Sequence, residues 1–244
     1  MGDAAQPMPA GPAHGPVIPD ESSPVSSHES APATPANRQR ETDDAVQRPA
    51  AMAPQAGARI VDMALELGER HGWDEVHLHG IAQALGLTLA DIRRHFENKD
   101  AIAEAWFDRA DEALLAAPQA PDWFRVPVRE RLHRAIFAWL DALSPHRRLT
   151  AAMLRYKLQP DHLHLQALGL TRISRTVQWI REAAGVTSSG WVREVEEAAL
   201  TGIYLSTFAA WLNDESEGAA RTHAWLDRLL AMAEAAALRL PRDR

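Results

Sequence analysis

The chain has 244 residues, no cysteine and a formal net charge of −7 at pH 7. Without cysteines it forms neither disulfides nor thiolate metal sites, which suits a reducing cytoplasm. Its longest nearly apolar run, AALTGIYLSTFAAWL at 198–212, is short for a bilayer span and carries Thr and Ser inside, so a buried helix is expected there and no transmembrane segment. Ten of the 16 prolines fall in residues 1–55, whereas all eight tryptophans follow residue 72. The first stretch is rich in Pro, Ala and Ser and lacks apolar periodicity. It cannot bury enough surface to offset chain entropy and is predicted to be a disordered tail. It has no basic start leading into an apolar core, and it is acidic, so neither a secretory signal nor an organelle transit peptide is expected.

From residue 56 onward the pattern is helical. Ile60, Ala64 and Leu67 recur at helical spacing, and Gly72 ends that helix. Leu78, Ile81, Ala82 and Leu85 share one face of a short second helix, and Gly86 permits a turn. Thr88 is placed to cap a third helix, with Asp91 three residues on as its capping-box partner and Ile92 and Phe96 pointing inward. Asn98 caps a fourth helix over 99–116. Pro118 and Pro121 then mark a boundary between a domain at 56–116 and a second at 122–240. Further helices are predicted from Pro127 to Leu143, over 146–157, from Pro160 to Ala184, over about 191–212 and over about 217–239. The fold class is all-α.

Charge bears on the choice of partner. Residues 56–110 hold six basic groups (Arg59, Arg70, Arg93, Arg94, Lys99, Arg109) against ten acidic ones (Asp62, Glu66, Glu69, Asp74, Glu75, Asp91, Glu97, Asp100, Glu104, Asp108), a balance of −4. Phosphate contacts supply most non-specific affinity for nucleic acid, so this balance counts against DNA unless a local patch suffices.

The order Arg59-Ile60, Ala64, Gly72-Trp73, Ile81-Ala82, Gly86, Phe96, Lys99 and Ile102 resembles the N-terminal domain of TetR-family transcriptional regulators. The resemblance implies a helix-turn-helix that reads an operator, a helical C-terminal domain that takes a small ligand, and a homodimer through the last two helices. The DNA contacts it implies are Thr88, Leu89, Ala90, Arg93, Arg94, His95 and Lys99. In the family the lysine at the position of Lys99 grips the backbone near a helix N-terminus. Leu89 stands where a basic contact is common, Asp91 brings a carboxylate toward phosphates, and Arg93 replaces a frequent tyrosine. Arg94 has the reach for a guanine edge or a phosphate.

The stretches SRTVQWIREAAGV, GWVREVEEAALTGIYLSTFAAWLND and THAWLDRLLAMAEAA are also similar to the lipid-binding accessory proteins of coenzyme Q biosynthesis. Those share the TetR-like fold without binding DNA. They continue into an amphipathic membrane helix, which the final LRLPRDR does not supply.

Two readings therefore stand: a regulator responding to a small apolar ligand, and a non-DNA-binding lipid- or isoprenoid-binding protein. In either case Trp139, Met153, Tyr156, Trp179, Tyr204 and Trp211 are candidates for a ligand cavity, because large apolar side chains with a polar tip suit such walls. Arg155 and Lys157 are expected to face solvent. The dimer is expected through residues 191–239, with Leu226 and Leu230 on the paired face. His162 and His164 have the wrong spacing for one helix face, so no metal site is expected. No nucleophile–His–acid order or Gly-rich phosphate loop occurs, so no enzyme activity, catalytic residue or cofactor is expected.

Overall fold

A computed structural model describes residues 55–157 and 163–239, and the predicted tail, His162 and the last residues lie outside it, as do the side chains of the first residues after His162. Among the described residues the structure is helical, without strands. In chain order the helices are α1 over 55–71, α2 Leu78–Leu85, α3 Leu89–His95, α4 Lys99–Ala116, α5 Val128–Leu143, α6 Arg147–Lys157, α7 Leu163–Ala184, α8 Gly190–Leu212 and α9 Ala220–Ala237. No helix among them is long and apolar enough to cross a membrane.

The first three helices close around Ile60, Ala64, Trp73, Ile81 and Ile92, all buried. Burying one such aliphatic side chain stabilises by roughly 1.5–3 kcal/mol. Gly86 has φ 65° and sends its N–H back to Ala82 and Gln83. Leu87 N donates to Ala82 O at 2.8 Å, so the left-handed glycine closes α2 and aims the chain into α3. Asn98 caps α4 by accepting from Ala101 N at 2.8 Å.

α4 belongs to both ends of the molecule. Toward the N-terminal helices, Arg109 pairs with Asp62 at 2.6 Å and donates to Ala58 O. Toward the C-terminal helices, Trp106 Nε1 donates to Thr150 Oγ1 at 3.0 Å, and Trp139 Nε1 donates to Asp111 Oδ1 at 2.8 Å. α1 also meets α6 directly. A Cβ on Gly68 would lie 2.8 Å from Leu149 Cδ1, so the leucine side chain packs onto the bare backbone at this glycine.

The C-terminal core stacks Trp139, Tyr204, Phe208 and Trp211 between α5 and α8. Between α8 and α9, the Asp214 carboxylate accepts from the N–H and hydroxyl of both Ser216 and Thr222. Burial would raise its pKa, but these four donors hold it well below the usual carboxylate range.

Candidate nucleic-acid interface and ligand cavity

α3 has one buried side chain, Ile92. Everything else on it is turned outward or half outward. The Thr88 hydroxyl accepts from Asp91 N at 3.1 Å, and Asp91 Oδ2 accepts from Thr88 N at 2.9 Å, which completes the expected capping box. These bonds from Thr88 lower the Asp91 pKa, with Arg94 helping. Arg94 pairs with Asp91 at 2.6 Å, and Arg93 lies 3.6 Å from Glu97. Asp91 is therefore not a bare carboxylate thrust at phosphates. It is a helix cap with its charge matched by Arg94.

Thr88, Leu89, Ala90, Arg93, Arg94 and His95 are each exposed, with Leu89 at 55% exposure. An exposed leucine on a short helix has no role in this chain's own core, and contact with a thymine methyl is one use for it. Lys99 does not join them. Its ammonium donates to Trp73 O at 3.1 Å and sits 4.5 Å from the Tyr156 ring centroid. Burial lowers its pKa, with nearby Asp74 and Asp100 opposing. Lys99 thus fastens the start of α4 to the loop after α1 and to α6, an inward task that differs from the backbone grip its resemblance implied.

None of the six candidate ligand residues is in the lining of the cavity between α5, α7, α8 and α9. Trp139, Tyr204 and Trp211 fill the aromatic core, and Met153 is buried beside it. Burial among these groups raises the Tyr204 pKa. Tyr156 lies under Lys99, and Trp179 stands 40% exposed on the outside of α7. That cavity, of about 440 Å³, lies where the start of α5, the end of α7, the first half of α8 and the end of α9 converge. Its walls include Leu132, Leu200, Ile203 and Leu230, and alanines at 199 and 233 leave the room. Small residues leave space that aromatic-seeking sequence reasoning passes over.

Sequence reasoning also missed a buried ionic cluster. Arg172 on α7 donates to Glu104 at 2.6 Å, to Asp108 at 2.9 Å and to Asp111 at 3.1 Å, all on α4. Lys157, expected in solvent, is buried instead and pairs with Glu104. Burial would raise the Glu104 pKa, but Lys157 and Arg172 more than reverse this and lower it. The available signal was the spacing of Glu104, Asp108 and Asp111, which puts three carboxylates on one helix face.

A second titratable cluster joins α5 to α9. His223 Nδ1 is 3.4 Å from His133 Nε2, and His223 stacks on Phe137. Asp227 lies 3.8 Å from His133. Burial lowers the His223 pKa and His133 lowers it further, while Asp141, Asp227 and Asp214 oppose. The folded state therefore binds fewer protons at His223 than the unfolded state does below the ordinary histidine value of about 6.5. Stability should fall as pH drops below about 6.5, and His223→Gln should flatten that slope in thermal melts. Among the described residues no group of three or more His, Asp or Glu is arranged to hold a metal.

A helix-turn-helix with an outward third helix, joined by a shared helix to a larger helical body, defines a TetR-like regulator fold. The comparisons agree. The model of bacterial regulatory proteins of the tetR family matches residues 60–106. A TetR transcriptional regulator from Nitrosomonas europaea is 41% identical, over 73% of this chain and 98% of that one, with a TM-score of 0.66. The chain belongs to the TetR family. A Mycobacterium tuberculosis protein, named as a candidate mycofactocin biosynthesis transcriptional regulator, is 24% identical over 64% of this chain and 80% of its own length. A TetR regulator from Rhodococcus sp. RHA1 shares the fold at 17% identity, over 73% of this chain and 96% of that one, with a TM-score of 0.56. The COQ9 model matches residues 167–237.

Proposed function

We propose that this TetR-type transcriptional regulator acts in the cytoplasm as a homodimer and responds to a small apolar ligand held by its C-terminal helices. The observation that carries the reading is the outward face of α3, where the capping box fixes a helix whose exposed groups include Arg93, Arg94 and His95. A dimer would offer two such helices to successive major grooves. The test is a fluorescence titration of DNA flanking the protein's own gene, at low and moderate salt. Binding that weakens steeply with salt is the expected result. No binding at tens of micromolar protein would favour the second reading, a lipid-binding protein that has given up DNA. That alternative draws on the COQ9 match and on the −4 balance of residues 56–110, counted above from six basic and ten acidic groups.

The dimer face needs one revision. Leu226 and Leu230 are buried within their own chain, so a charge there would damage the fold rather than the pairing. The exposed stripe on α8 runs through Trp191, Val195, Ala198, Gly202, Leu205 and Ala209, and α9 adds Trp225 and Met232. Steps of four and three keep the α8 stripe on one side of the helix. An apolar stripe of this length left in water calls for a partner surface. Leu205→Glu should weaken self-association by about tenfold or more while sparing the melt of the fold, as read by sedimentation and circular dichroism.

A further inference from the structure

The cavity between α5, α7, α8 and α9 is mostly apolar, yet its lining includes Arg181, a residue with one unsatisfied donor. Arg181 has a side chain only 7% exposed. Its Nη2 donates to Ser188 Oγ at 3.1 Å, and that hydroxyl in turn donates to Glu196. Its Nη1 is buried, lies 3.6 Å from Glu196 Oε2, and makes no hydrogen bond among the described residues. A buried donor without an acceptor costs free energy until something supplies one. The formal charges at the cavity cancel. Arg181 is matched by Glu196, and Arg129 at the rim lies 3.4 Å from Glu234.

From these features we infer that the cavity takes an uncharged, largely apolar molecule bearing one hydrogen-bond acceptor oxygen, such as a ketone or ester, to which the Arg181 guanidinium turns from Glu196 to donate, a side-chain change common on binding. The inference rests on the reading that the C-terminal helices hold a small apolar ligand, and it gives that ligand a place and a chemistry. The volume falls within the range of small-molecule pockets. A carboxylate ligand would add an unbalanced charge beside Glu196, against mostly apolar walls. A cation would meet Arg181. A plain hydrocarbon would leave the N–H of Arg181 as it is.

Three probes of equal chain length separate these cases: methyl nonyl ketone, undecanoate and undecane. Binding to the full chain is followed by tryptophan fluorescence and by the rise in melting temperature. The ketone is expected to bind saturably, with undecanoate and undecane each about tenfold weaker or worse. Arg181→Met should weaken the ketone by about tenfold and leave undecane unchanged. Ala233→Phe, which fills the cavity while keeping Arg181, should abolish ketone binding. Circular dichroism melts check that both variants fold.

Undecanoate binding as tightly as the ketone would overturn the charge argument. Undecane matching the ketone in the parent protein would overturn the role of Arg181 without any variant. Ketone binding unchanged in folded Ala233→Phe would overturn the location, and so would no binding of any probe. DNA titration of the same samples keeps the two levels apart. Salt-dependent DNA binding without ketone binding sinks this inference and leaves the regulator standing. Ketone binding without DNA binding supports this inference and removes the regulator.

Discussion

Arg172→Met is expected to destabilise the fold by about 3–5 kcal/mol in urea denaturation, because it removes one partner of a buried ionic cluster and leaves the others. Asp111 is the group most affected, since it is itself buried. Trp139 Nε1 and Thr176 Oγ1 would still donate to its Oδ1, but Oδ2 would lose the guanidinium. Glu104 would keep Lys157. Arg175→Met is the control. Arg175 reaches Asp108 at 3.3 Å from an exposed position, so its loss should cost no more than about 0.5 kcal/mol. Equal effects from the two substitutions would show that the buried cluster contributes nothing beyond a surface pair.

The double substitution Arg93→Ala, Arg94→Ala is expected to weaken operator binding by about a hundredfold or more, at roughly 1–3 kcal/mol for each side chain. Both arginines stand on the exposed face of α3, and with Lys99 held by Trp73 O and Tyr156 they are the main cations that face offers. Asp91→Asn should act in the opposite sense. It removes the carboxylate that holds Arg94 at 2.6 Å and frees the guanidinium for DNA. It also weakens the capping box, at roughly 1 kcal/mol of stability. Gel shifts and thermal melts on the same samples separate the two effects. An unchanged affinity in the double variant would remove α3 as the reading helix.

What the sequence made legible was local. Thr88 and Asp91 are three residues apart, and their bonds need nothing from the rest of the chain, so the cap was readable before the fold was known. The turn at Gly86 is of the same kind. Arg172 is the opposite case. In sequence it is one more charged residue on an amphipathic helix, and only the packing of α7 on α4 turns it inward. Lys157 was misjudged for the same reason. The tryptophans are a different case. Trp139 and Trp211 are fully buried, whereas the cavity at the ends of α7 and α9 is lined partly by alanines, and neither outcome can be told from residue type alone.

The cluster on α4 and α7 also sets how the two helices can move past each other. Glu104, Asp108 and Asp111 are spaced one turn apart on α4, and Arg172 and Arg175 one turn apart on α7. Arg172 alone spans all three carboxylates, so a slip of α7 along α4 would part several charge-assisted bonds at once and leave the buried Asp111 short of its guanidinium. The same bonds hold α7 in one register on α4, the helix that follows the reading helix.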